Sequence, residues 1–144
     1  MQVKDILRNK GNDVVVIAGD ATLAEAARLL SRKQIGAVVI RDLGGALAGI
    51  LSERDLVRAL ATDSIGALTQ PVRSYMTKAV ATCTEFDTVE VIMEMMTRGR
   101  FRHVPVLDTE DEIIGIISIG DVVKTRIEET EHEARSLRDY IAAG

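Results

Sequence analysis

The chain has no tryptophan, one cysteine, two prolines, two phenylalanines and two tyrosines among 144 residues. Each shortage excludes something. With few aromatic faces to stack on bases and a formal net charge of −4, the chain as a whole repels nucleic acid and anionic lipid. One cysteine cannot close an internal disulfide, which fits a reducing compartment. No apolar run approaches the ~20 residues of a membrane-spanning helix, and the N-terminus lacks a signal-peptide core. A cytoplasmic protein with no membrane and no nucleic-acid partner is therefore expected. The two histidines and the cysteine lie far apart, so no metal-ligand spacing is visible and no metal is expected. Aliphatic residues are what the chain has in quantity. Hydrophobic residues make up 47% of it, enough for a core at this length without a metal or disulfide.

Repetition is the second positive feature. GILSERD at 49–55 returns as GIISIGD at 115–121, with Gly, Ile, Ser and Asp in the same places. The same offset of 66 residues pairs Val14 with Val80, Thr22 with Thr88, Arg32 with Arg98, Val38 with Val104 and Asp42 with Asp108. A fixed-period self-match signals duplication. Each copy opens on a short strand, VVVI at 14–17 and VATC at 80–83. A helix follows, with apolar positions Leu23, Ala26, Ala27 and Leu30, then Val89, Ile92, Met93 and Met96, the stripe of a helix packed on one side. Thr22 and Glu25 read as a capping box. AVVI and ALAGIL, then VPVL and IIGII, read as hairpins with turns at Asp-Leu-Gly-Gly and Asp-Thr-Glu-Asp. Pro105 has no N–H to give a ladder and belongs at an edge. Cys83 reads as a small buried hydrophobe, and Met76, Met93, Met95 and Met96 as core filler.

The spacing predicts an α+β fold of two tandem β-α-β-β-α units packed sheet to sheet into one module. Repeat 1 spans 1–66, repeat 2 spans 67–128, and a helical tail spans 129–144. A polar connector joins the units from about Ala61 to Lys78. In the tail, Ile127, Thr130, Ala134, Leu137 and Ile141 form a weak coiled-coil-like seam that docks on its own module or on a second subunit.

Ser-x-x-Asp at a strand-to-helix junction admits two readings. As structure, the hydroxyl is the N-cap and the carboxylate sits at N3, near the positive helix end. The glycine then permits a close backbone approach. As chemistry, a helix N-terminus offers unpaired N–H groups, and an ionised carboxylate there is a pure acceptor whose natural partner is a neutral double donor such as a ribose 2′,3′-diol. The flanking Ile50, Leu51, Ile116 and Ile117 offer an apolar wall to a base.

Taken together, the doubled Gly-h-x-Ser-x-x-Asp motif, the hairpin before each copy and HVPVLD at 103–108 resemble the CBS-domain pair, the tandem module named after cystathionine β-synthase. The resemblance covers residues 1 to about 127. It implies a non-catalytic regulatory module of the stand-alone bacterial type. Such a module binds an adenosine nucleotide between its repeats and signals to a separate partner protein, since no effector domain remains in the chain. AMP leads the ligands implied, with ATP, ADP, NAD(H) or S-adenosylmethionine as alternatives. Ser52 with Asp55, and Ser118 with Asp121, are implied to hold the ribose, with Ile17 or Thr82 and the apolar Ile50 or Ile116 against the adenine. Arg102 and His103 are implied to contact phosphate. A homodimer is also implied.

RGRFRH at 98–103 supports the phosphate assignment independently, since it concentrates Arg98, Arg100, Arg102 and His103 in an acidic chain. If extended, it sets Arg100 and Arg102 on one side. The first copy has uncharged Gln34, Ile35, Gly36 and Ala37 there, and Gly120 stands where repeat 1 has Arg54, a further phosphate candidate. Unequal sites are expected. The competing reading is a ligand-independent dimeric interaction scaffold with the same fold. An enzyme would need a nucleophile–base pair or paired carboxylates in a pocket, and none stands out.

Overall fold

Asp42 turns the first hairpin: its Oδ1 accepts from Gly44 N at 2.9 Å and Ala46 N at 3.0 Å, and Gly45 takes φ +87. Asp108 does the same 66 residues later, accepting from Glu110 N at 2.8 Å and Glu112 N at 3.0 Å, with Asp111 at φ 61 in the place of Gly45. These turns sit in a computed structural model that describes residues 1–143. Its elements in order are α1 (Val3–Lys10), β1 (Val16–Ala18), α2 (Leu23–Lys33), β2 (Ala37–Arg41), β3 (Leu47–Ser52), α3 (Glu53–Asp63), α4 (Val89–Gly99), β4 (His103–Leu107), β5 (Ile113–Ser118) and α5 (Ile119–Ala143). The architecture is the expected α+β pair of repeats with a C-terminal helix.

The capping signals act where they stand. Thr22 Oγ1 accepts from Glu25 N at 3.1 Å, and Glu25 Oε2 accepts from Thr22 N at 3.1 Å, which starts α2. Thr88 caps α4 alone, because Val91 at N3 has no carboxylate to return the bond. Leu23, Ala26 and Leu30 are buried, as are Val89, Ile92 and Met96. Met93 is exposed, and Met95 takes its expected place against the core.

One expected strand is missing. β1 pairs parallel with β2, and Val39 N donates to Val15 O at 3.0 Å. The equivalent of Val39 is Pro105, which has no N–H, so the counterpart of Val15, Ala81, gains no bond from β4. Residues 80–83 therefore form no strand, only a single bridge between Cys83 and Val106, in which Cys83 N donates to Pro105 O at 3.0 Å and Leu107 N to Cys83 O at 2.8 Å. The sheets are β1-β2-β3 and β4-β5. Cys83 is buried, and desolvation with help from Asp87 pushes its thiol up to about 12, so it packs as a hydrophobe.

The polar connector also departs from expectation. It holds two 3-10 turns, Ser64–Thr69 and Val72–Ser74, and buries Ala67 and Val72 in the repeat 1 core with Leu23, Val38, Ile40 and Leu51. At the other end of the chain α1, which carried no sequence signal, buries Val3, Ile6 and Leu7 in the repeat 2 core with Ile92, Val104, Ile117 and Val122. The two insertions mirror each other. Leu23 N donates to Gln70 O, as Val89 N donates to Met1 O, and Gln2 bridges Thr88 as Pro71 bridges Thr22. The segment preceding each repeat thus folds onto the other repeat.

That exchange explains the motif glycines. A Cβ on Gly49 would lie 2.8 Å from Thr77 O and 2.7 Å from Met76 Sδ, and one on Gly115 would lie 2.6 Å from Leu7 Cδ2. Each glycine lets the incoming segment lie flat on its hairpin.

Candidate functional site at the repeat junction

Each motif forms a complete capping box. At the start of α3, Asp55 Oδ2 accepts from Ser52 N at 2.8 Å and Ser52 Oγ at 3.1 Å, and Asp55 N approaches Ser52 Oγ at 3.4 Å. At the start of α5, Asp121 Oδ2 accepts from Ser118 N at 2.8 Å and Ser118 Oγ at 3.0 Å, and Asp121 N donates to Ser118 Oγ at 3.2 Å. The structural reading of Ser-x-x-Asp is therefore correct for both copies. It does not exhaust them, because the exchanged segments supply a further donor to each carboxylate.

The donors differ. Thr77 Oγ1 donates to Asp55 Oδ1 at 3.3 Å, while Thr77 N donates to Ile50 O at 2.9 Å. Arg58 adds a looser ion pair at 3.7 Å, and the Asp55 side chain is left 7% exposed. In the second copy one ammonium takes both acceptors: Lys10 Nζ donates to Asp121 Oδ2 at 2.7 Å and to Ile116 O at 2.8 Å. Asp121 keeps 20% of its side chain exposed. Burial alone would push its carboxyl up; the bonds from Lys10 and Ser118 outweigh that and hold it below 3.8. Lys10 was not visible in the sequence, because it belongs to α1, which has no counterpart at the 66-residue offset.

His103 crosses between the repeats. It begins β4 opposite Ser118, and its ring lies against Gly36 at the start of β2, where a Cβ would fall 2.9 Å from both Cε1 and Nε2. The missing side chain at 36 makes the room that the imidazole fills. Burial, helped by Lys10 and Arg102, pushes its pKa below 6.5 against the opposing pull of Glu53 and Asp121. Those four charges and His103 mark one side of the junction. Arg102 is exposed and has no ion pair among the described residues, and its carbonyl caps α5 by accepting from Ile119 N at 2.8 Å.

The other basic residues are arranged differently from the expectation. Arg54 reaches across the junction and donates from Nη1 to Arg100 O at 3.0 Å, so it clasps the repeats together. Arg100 is not extended: it closes α4 at φ 57, and Arg98 pairs with Glu94. Arg100 and Arg102 therefore do not share a strand face. Ile17 lies half-buried in β1, Thr82 half-buried ahead of Cys83, and Ile50 is buried with its backbone committed to Thr77. Two open hollows of about 500 and 440 Å³ lie nearby, one along α5 at Ile119, Val123 and Ile127, the other at Leu30, Ile35 and Glu53. Neither includes a motif serine or aspartate.

Comparison with known proteins identifies the fold. The CBS domain model matches residues 3–62 and 72–128, one match per repeat. A solved CBS-domain containing protein from Agrobacterium tumefaciens is 49% identical, covers 88% of this chain and 99% of its own, and superposes with a TM-score of 0.85. The CBS domain pair of protein MJ0100, solved with 5′-methylthioadenosine and S-adenosyl-L-methionine, is 26% identical over 90% of this chain and 98% of its own, with a TM-score of 0.79. A CBS domain protein from Pyrobaculum aerophilum, complexed with AMP, is 28% identical over 84% of this chain and 89% of its own, with a TM-score of 0.75. With both halves matched, the chain belongs to the CBS-domain family as a tandem pair.

Proposed function

We propose that this CBS pair is a non-catalytic regulatory module that takes an adenosine nucleotide at the junction of its repeats and signals to a separate partner. The carrying observation is the doubled carboxylate at a helix N-terminus, with basic side chains gathered at one copy: Lys10 bonds Asp121 and, with Arg102, faces the His103 ring, while a threonine serves Asp55 and Arg58 adds only a looser ion pair. A diol suits such a carboxylate, and a phosphate suits the adjoining cations. Relatives solved with AMP and with S-adenosyl-L-methionine support the ligand class. In this reading Asp121 and Ser118 hold the ribose of the better-bound ligand and Arg102 meets its phosphate. Binding shifts the packing of the repeats only if one arrangement binds better than another, and Arg54 on Arg100 O is a contact that such a shift would strain.

Titration calorimetry with AMP, ATP, NADH and S-adenosylmethionine tests the reading on the wild type, Asp55→Asn and Asp121→Asn. Binding of AMP that weakens at least tenfold in Asp121→Asn and less in Asp55→Asn is expected. Two equal, independent AMP sites would remove the inequality. No binding by any of the four, with the variants merely less stable, would leave the scaffold reading in its place.

The homodimer belongs to the same proposal. Ile119, Val123, Ile127, Leu137 and Ile141 are exposed along one face of α5, with Thr130 and Ala134 between them. A second copy is the occupant we assign, from charge. Antiparallel pairing about Ala134 brings Glu128 and Glu131 of one chain near Arg138 and Arg135 of the other, whereas parallel pairing sets like charges side by side.

A further inference from the structure

Lys10 stands out because it does with one flexible side chain what Thr77 does with its backbone and hydroxyl. At the first copy Ile50 O is tied to Thr77 N within a two-bond bridge, since Ile50 N also donates to Thr77 O at 3.0 Å. Thr77 cannot leave without breaking backbone pairing. At the second copy Ile116 O and Asp121 Oδ2 are both held by the Lys10 ammonium, which hangs on four methylenes from the end of α1 and is 32% exposed. An ammonium is a point charge with three rotatable donors, so it can surrender one acceptor and keep another. No other residue of α1 reaches the motif by hydrogen bond, and Arg8 points instead to Asp5.

Resting on the nucleotide reading above, we propose that Lys10 is the residue that selects ligands by charge at the Asp121 site. In the free protein it neutralises the carboxylate and blocks it. A ribose diol displaces the ammonium from Asp121 Oδ2, and only a ligand that also carries a phosphate gives the displaced charge a new partner, beside Arg102. A neutral nucleoside breaks the ion pair and returns nothing. At the Asp55 copy the donor from the exchanged segment is an uncharged hydroxyl and the nearby cation, Arg58, pairs only loosely at 3.7 Å, so the distinction is weaker there. Because Lys10 ends α1, and α1 buries Val3, Ile6 and Leu7 in the repeat 2 core, occupancy of the site is felt by the exchanged segment.

The test compares AMP with adenosine on the wild type, Lys10→Met and Lys10→Arg by calorimetry. Methionine keeps the stem length and removes the charge, and its side chain needs no partner at the surface. The expected outcome is a split in sign. In Lys10→Met, AMP weakens by about tenfold or more while adenosine holds or tightens, and Lys10→Arg keeps AMP within about threefold of wild type. Equal changes for the two ligands, or none, would overturn the assignment of Lys10 and leave the nucleotide reading intact. A wild type that binds neither AMP nor adenosine would overturn both. Should Lys10→Met prove misfolded by circular dichroism, Lys10→Arg decides: a loss of AMP binding beyond about tenfold overturns the proposal, because arginine retains the charge on which it rests.

Discussion

The two repeats begin as copies and end as opposites at one point. Both set a serine and an aspartate at the mouth of a helix with the same bonds, at 2.8 Å from the serine N–H in each. What reaches the aspartate next is a hydroxyl fixed by backbone pairing in one and an ammonium at the end of a long side chain in the other. Across the junction, repeat 2 carries Arg102 and His103 where repeat 1 has Gly36 and Ala37, and the glycine is the space into which the histidine fits. Duplication thus supplied two equal helix mouths, and a handful of side chains outside the motif made them unequal. The lesson is that motif residues report the frame, while selectivity lies in segments that the repeat offset does not align.

The sharpest way to break the comparison is at the motif glycines. Gly49→Ala sets a methyl 2.8 Å from a backbone oxygen, Thr77 O, which moves only with its bridge. Gly115→Ala meets the tip of Leu7, which can turn away. We expect Gly49→Ala to lose about 2–3 kcal/mol in urea unfolding and Gly115→Ala about 1 kcal/mol. Equal losses would mean that both segments pack with the same rigidity.

The helices behind the motifs give the next test. The apolar stripe of α5 runs from Ile119 to Ile141, whereas α3 exposes only Val57 and Leu60 near its end. Val123→Asp should weaken self-association by about tenfold or more in sedimentation velocity, and Val57→Asp by less. A wild type that sediments as one chain at high concentration would remove the dimer.

The smallest expected effect is in pH. Folding lowers the pKa of His103, so the unfolded chain binds its proton more readily. The resulting stability is fully present above 6.5 and is lost as pH falls through 6.5 toward the folded value. Wild-type stability, measured by urea unfolding, should therefore decline more steeply than that of His103→Gln as pH falls below 6.5. Identical slopes would place the ring in solvent.

Much of this was legible from local chemistry. The hairpins follow from Asp42 and Asp108 turning their own chains, and the helix starts follow from Thr22 with Glu25 and from the two Ser-x-x-Asp boxes. Where reading failed, a non-local partner decided. VATC has strand composition, but its ladder depended on an N–H that Pro105 lacks. Arg100 lies in a run that looks extended, yet its φ of 57 ends a helix. The offset itself misled at the exchanged segments: Pro71 stands 69 residues after Gln2, its structural counterpart, so α1 and the 3-10 turns never aligned. Lys10 was hidden for that reason.

The exchange of segments has a consequence for how the chain comes to be folded. Repeat 1 is not whole until Val72 and Met76 have been made, and repeat 2 must capture Val3, Ile6 and Leu7, which are made long before its own strands. During synthesis α1 has no core to join, and its apolar side waits for about a hundred residues of chain to follow. A fragment divided between the repeats gives each half the other's segment and leaves both cores open. The two units are bound by crossed segments, and those contacts, being far apart in sequence, are the ones expected to close slowly in folding.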